Sequence, residues 1–194
     1  YEIPLRLVGS EMCIRDSTMK AKADGSKVDK DGNLTTDTKE AVGSALIGQD
    51  FTEDCYFQGR VSAVNYNTYT EEQKESGEYA GVASGSYNYA NSNPELKERM
   101  EKDLEQFLKE HPGVKAEDVP AELLTASGSG LDPHISPESA EVQIPTVAKN
   151  SGLSEEEVKK IVEENTEKKT LGVFGEERVN VLGCNLDIAA AMGK

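Results

Sequence analysis

Basic residues are scarce in this chain. Lys and Arg number 21 against 36 Asp and Glu, so its 194 residues carry a formal net charge of −15. That balance excludes nucleic acid as a partner, because a protein needs Lys and Arg to displace the counterions of a phosphate backbone. It also argues against docking on anionic membrane surfaces. Sulfur and imidazole are equally sparse, with three Cys and two His. Cys13, Cys55 and Cys184 show no C-x-x-C spacing, and His111 and His134 are far apart. A structural zinc needs four ligands, which this supply does not favour. No run of about 18 apolar residues is present, so no transmembrane helix is expected within these residues. Phosphate-cradling loops of the G-x-x-x-x-G-K-[ST] type are also missing. What remains is a length suited to one domain, with 36% hydrophobic and 29% charged residues and an acidic, solvated surface.

The N-terminal end does not read as a fold. In YEIPLRLVGSEMCIRDS the apolar part is too short for a signal peptide, and Glu11, Arg15 and Asp16 interrupt it. Residues 7–17 resemble the translation of a transposase adaptor used in DNA library preparation. Residues 1–17 are therefore set aside as adaptor-derived. Residues 18–40 are polar, with Asp24-Gly25 and Asp31-Gly32 turns, and read as a linker. Asp29, Asp31, Asn33, Asp37 and Glu40 fit several ligand positions of a calcium loop, but Leu34 stands where its turn needs Gly. The solvated linker is the better reading. Residues 41–194 form the single domain.

Within that domain, GSALIGQDF (43–51) suits a strand, and CYFQGRVSAVNY (55–66) suits a second strand or an extended loop. Residues 76–93 are a turn-rich loop with tyrosine anchors. Asn93-Pro94 opens a helix carrying Leu96, Met100, Leu104, Phe107 and Leu108 on one face, and His111-Pro112-Gly113 closes it. Ser136-Pro137 opens a second helix to about Asn150, kinked at Pro145. Ser154 and Glu157 form a capping box for a third. RVNVLGCNLDI (178–188) reads as a closing strand, with Cys184 a buried, unreactive thiol. The expected class is α+β: a small mixed sheet with about three helices.

The densest segment is TASGSGLDPHISP (125–137). Ser, Asp and His together suggest a hydrolase triad. Yet Asp132, Pro133 and His134 are nearly adjacent, and the serines sit in SGSG and not in a G-x-S-x-G elbow. Gly128 and Gly130 permit positive φ, and Pro133 and Pro137 fix the chain around His134, so the loop reads as shaped backbone.

That segment resembles the signature of the C subunit of Kdp-type potassium-transporting P-type ATPases. Other blocks resemble the same family in order: GSALIGQ (43–49), Phe51, Tyr56-Phe57, Arg60 with Ser62-Ala63, Asn65-Tyr66-Asn67, Ser92-Asn93-Pro94, Gln143-Ile144-Pro145 with Val147-Ala148, Arg178-Val179-Asn180-Val181-Leu182 and Asn185-Leu186. The resemblance covers roughly residues 42–188. It implies a non-catalytic accessory subunit of a four-subunit membrane complex. That complex holds a channel-like subunit and an ATP-hydrolysing subunit, and the C subunit acts as a catalytic chaperone that raises the pump's affinity for ATP. It also implies one membrane helix, expected upstream of residue 18, and a domain on the outer face of the cell membrane. No intrinsic cofactor is expected, with ATP reached through the pump subunit.

Two sets of site residues follow from the resemblance. The family's nucleotide contact falls on Gln143; the alternative is a helix residue satisfying nearby backbone. The family's neighbouring arginines are Thr146 and Ser151 here, so phosphate has no cationic partner and weak or absent ATP binding is expected of this chain. The second set is a partner-docking loop of Ser127, Gly128, Ser129, Gly130, Asp132, Pro133 and His134. Two other readings stay open: a secreted binding module without enzymatic activity, and, more remotely, a Ser/His/Asp hydrolase acting through His134.

Overall fold

The computed structural model describes residues 17–21, 39–44, 46–67, 76, 83–169, 171 and 173–193. The calcium-loop positions before Lys39, Cys13 and the first sixteen residues lie outside them. Strands β1 (Ser17–Ala21) and β2 (Lys39–Ser44) pair antiparallel, so the ends of the segment read as a linker are strand. The strand expected over 43–51 stops at Ser44. Beyond it Leu46 to Phe51 is turn and coil, and the Gly48 N–H donates to the Leu131 carbonyl at 2.8 Å rather than to a sheet neighbour. Residues 55–62 are loop touching a strand-like partner once, at Val61 against Ala126, and the segment ends in a turn and a short 3-10 helix, Asn65–Asn67.

Helix α1 (Pro94–Glu110) begins and ends where its punctuation requires. Asn93 accepts from the Glu95 N–H at 2.9 Å, Pro94 occupies the first turn, and the His111 N–H closes on the Phe107 carbonyl at 2.8 Å. Of its apolar face only Phe107 is fully buried; Leu96, Met100, Leu104 and Leu108 are half-buried. The expected single helix over 137–150 is two: α2 (Pro137–Glu141) and α3 (Ile144–Ser151). Pro145 lacks an N–H, and that loss is harmless in a first turn, so the chain restarts at Ile144 rather than kinking. Gly152, at φ 77°, ends α3 in the left-handed region. Helix α4 (Glu155–Glu164) carries the Ser154/Glu157 capping box with both reciprocal bonds made.

The largest correction is at the C-terminal end. Strand β5 is only Arg178–Asn180, and helix α5 runs from Val181 to Ala191. The side chain of Asn180 accepts from the Gly183 N–H at 2.9 Å and turns strand into helix in one residue. Six of the eleven residues of α5 are buried, so its sequence is largely apolar, and a short apolar run does not distinguish strand from helix. Strand β5 lies between β3 (His134–Ile135) and β4 (Thr166–Glu167), antiparallel to both, with Ile135 and Thr166 opposite Val179. The class is α+β, and the three-stranded sheet is antiparallel. Phe57, Ile135, Val147, Val158, Val179, Cys184 and Ile188 fill the core. Burial raises the Cys184 thiol to about 12, which leaves it protonated and inert.

One core group is poised against acid. The ring of His111 is 2% exposed, stacks on Phe107 at 4.2 Å, and has no hydrogen-bond partner at either nitrogen. Burial pushes its pKa below the ordinary imidazole value, against the opposing pull of Glu110 and Asp54. Above about pH 6.5 the ring is neutral folded or unfolded and pH has no leverage through it. Below that, the unfolded chain takes up a proton that the folded chain refuses, and stability falls. We expect wild type to lose stability relative to His111→Phe between pH 7.5 and 5, by at most about 1.4 kcal/mol per pH unit. Parallel urea titrations of the two proteins check this; equal pH profiles would refute it.

Candidate functional site

Two buried side-chain amides hold the centre of the domain. Gln143 is the residue at the junction of α2 and α3 and is 0% exposed. Its Nε2 donates to the carbonyls of Ser139 (3.0 Å) and Gln58 (3.2 Å), and its Oε1 accepts from the Gln58 N–H at 2.8 Å. Asn185 on α5 is 1% exposed and treats the next residue the same way. Its Oδ1 accepts from the Phe57 N–H at 2.8 Å and its Nδ2 donates to the Phe57 carbonyl at 2.9 Å. A primary amide presents one donor edge and one acceptor edge, as a peptide unit does, so each grips extended backbone as a neighbouring strand would. The Phe57 ring, 1% exposed, packs in the core. Residues 57–58 are thereby stapled to helices that follow them by 85 and 128 positions. In Gln143 both amide hydrogens and the oxygen are engaged internally, leaving no open edge for a nucleotide in this arrangement.

The Gly/Ser/Pro loop lies against the same 46–66 segment. Its shape is set by its own hydroxyls: Ser127 Oγ accepts from the Gly130 N–H at 2.8 Å, and Ser129 Oγ from the Leu131 N–H at 3.1 Å. Its outer bonds go to neighbours. Ser62 Oγ donates to the Gly130 carbonyl at 2.6 Å, Gly85 N–H to the Ser129 carbonyl at 2.8 Å, and Val181 N–H to the Pro133 carbonyl at 3.0 Å. Gly130 sits at φ 67°, where a Cβ would lie 2.7 Å from both the Gly85 oxygen and Val64 Cγ2. Gly48 has even less room, with Tyr66 and the Asp132 carbonyl against it. Tyr66, at φ 50°, donates its hydroxyl to the Arg60 carbonyl, and burial beside Asp50 and Asp132 pushes the phenol well up, so it stays a donor.

Asp132 is the charged hinge of the loop. Its Oδ1 accepts from the His134 N–H at 3.0 Å and lies 3.3 Å from His134 Nδ1, while Oδ2 meets Arg60 Nη1 at 3.4 Å. The Asp–His pair of a triad is thus present as a local turn. The serine hydroxyls of the loop bond backbone instead, and the Ser136 hydroxyl bonds Ser139 Oγ at 3.2 Å. Of the residues expected to dock partners, Ser127, Gly130 and Pro133 are buried, Ser129, Asp132 and His134 are half-buried, and Gly128 is exposed. Among the described residues no cluster of His, Cys, Asp and Glu could hold a metal ion, and no helix is long and apolar enough to cross a membrane.

Sequence reasoning missed the role of Asn185. The signal was an asparagine inside an apolar run, since a buried amide must find hydrogen-bond partners. It also gave Arg60, Ser62 and Tyr66 no role as supports of the loop.

Residues 12–190 match the family described as K+-transporting ATPase, c chain. The chain belongs to that family. Among its relatives, the potassium-transporting ATPase KdpC subunit of Clostridium kluyveri is 59% identical over 162 residues, covering 84% of this chain and 77% of that protein. The KdpC subunit of Clostridioides difficile is 52% identical over 195 residues, covering 98% and 88%. That of Caldanaerobacter subterraneus is 47% identical over 173 residues, covering 89% and 79%. As a member, the chain is an accessory subunit of the potassium pump. The amide clamp and the supported loop are therefore features of a pump subunit.

Proposed function

We propose that this chain is a non-catalytic assembly subunit that raises the ATP affinity of the pump's ATP-hydrolysing subunit without binding nucleotide itself. One observation carries the reading: Gln143, where the resemblance puts a nucleotide contact, is fully buried and its amide is bonded to Ser139 and Gln58. Thr146 and Ser151 nearby bring no positive charge to a triphosphate. The effect on ATP is then transmitted through subunit contacts, with the loop from Ser127 to His134 holding the docking surface in shape. The same reading places the domain on the outer face of the membrane, with the channel-like and ATP-hydrolysing subunits as its partners. Family membership in a membrane pump supports it.

Calorimetric titration of this chain with ATP is expected to show no saturable heat up to about 1 mM, a free energy near −4 kcal/mol. Adding the chain to the other pump subunits is expected to lower the ATP concentration for half-maximal hydrolysis. Saturable binding to the chain alone below that concentration would refute the indirect mechanism.

A further inference from the structure

Exposed apolar side chains are concentrated in one place on this acidic domain. Of the five large hydrophobic side chains exposed among the described residues, three lie within four positions: Leu171 (86%), Val173 (74%) and Phe174 (66%). Strands β4 and β5 pair antiparallel, so these residues sit on the connection of a hairpin, where the chain turns at Leu171 and Val173. Singly exposed apolar residues are ordinary, whereas three together mark a surface that a partner covers.

The charges around the hairpin narrow the kind of partner. Lys168 and Lys169 precede the apolar tip and Glu176 and Glu177 follow it, all four exposed. At the base of the hairpin Arg178 pairs with Glu167. These charges cancel, so the hairpin is a locally neutral spot on a chain of net charge −15. An apolar centre inside a polar rim is the anatomy of a protein–protein contact. A lipid surface fits less well, because the rim has no excess of Lys and Arg and the tip has no Trp or Tyr to sit among headgroups. A second copy also fits less well. Three side chains fall far short of the roughly 20–30 residues a side in a standard interface, and two copies repel each other through their net charge. A small apolar tip works instead as one anchor in an assembly whose other contacts hold the partners together.

The place of the hairpin in the fold puts it beside such a contact. A cavity of about 490 Å³ is lined by Asp132 and His134 of the Gly/Ser/Pro loop and by Glu176, Glu177 and Arg178 of the hairpin. We propose that the β4–β5 hairpin is a docking finger whose Leu171, Val173 and Phe174 seat in an apolar groove on another subunit of the potassium pump, a groove rimmed by charges of both signs. This docking rests on the assembly role proposed above and gives it the side chains that make the contact, while the Gly/Ser/Pro loop holds the neighbouring surface in shape.

The test is made in the whole pump, with the chain expressed beside its partner subunits. Leu171→Asp and Phe174→Asp are each expected to cut recovery of the chain with those subunits at least about fivefold. Leu46→Asp is the control, since Leu46 is as exposed as Phe174, at 66%, and receives the same charge. It is expected to assemble as wild type does. Urea unfolding of all three variants is expected to match wild type, because the substituted side chains are exposed. A benzophenone amino acid in place of Phe174 is expected to cross-link to another pump subunit. Wild-type recovery of Leu171→Asp and Phe174→Asp, an equal loss in Leu46→Asp, or cross-linking only to a second copy or to lipid would each overturn the docking finger and leave the assembly role standing. Failure of the wild-type chain to join the pump at all would overturn both.

Discussion

Gln143→Leu is expected to destabilise the chain by roughly 3–5 kcal/mol, a large fraction of the total for a domain of this size. Leucine approximates the volume, so the loss is one of hydrogen bonding rather than of packing. Three backbone groups are stranded at once: the Gln58 N–H, the Gln58 carbonyl and the Ser139 carbonyl. Each buried group left unsatisfied costs about 1–3 kcal/mol. Urea unfolding at neutral pH measures the loss, and a shift below about 1 kcal/mol would show that Gln143 is not a clamp. Asn185→Leu is expected to act similarly, because it strands both polar groups of Phe57. The double variant should cost less than the sum. The two amides grip adjacent residues, and once one lets go the other holds a segment already loosened.

Gly130→Val should abolish recovery of the chain with its partner subunits. The position needs φ 67°, a region that costs a β-branched residue about 1–3 kcal/mol. The added Cβ also meets the Gly85 oxygen and Val64 Cγ2 at 2.7 Å, which forces apart the loop and the two segments packed on it. Gly128→Ala is the matched control. Nothing lies within 4 Å of its would-be Cβ and its φ is not in the left-handed region, so assembly should be unchanged. Co-purification of both variants with the other pump subunits reads the difference. Wild-type recovery of Gly130→Val would show that the loop tolerates a rearranged backbone and is not the support assigned to it.

Local chemistry was legible wherever a residue acts on its own few neighbours. Asn93-Pro94 opens α1 and Ser154 and Glu157 box the start of α4, because caps are settled within four residues; the SGSG run offered Gly128 and Gly130 alike as left-handed positions, and only Gly130 takes one. The loop's character as shaped backbone followed from the same reasoning, and so did the inert Cys184. The family resemblance was legible for a different reason: it is carried by separated blocks that follow one another in order from Gly43 to Leu186.

Tertiary structure alone decided what distant residues do to one another. Whether 181–188 is strand or helix turns on what surrounds it, and only the burial of Val181, Leu182, Cys184, Asn185 and Ile188, with Asn180 capping, resolves the apolar run as α5. Gln143 reads equally well as a ligand contact or as a staple until Gln58, 85 positions away, is seen in its grip. Periodicity over a few residues reports which face is apolar, but it carries no information about which distant backbone a buried amide must satisfy, and that pairing is what holds this domain together.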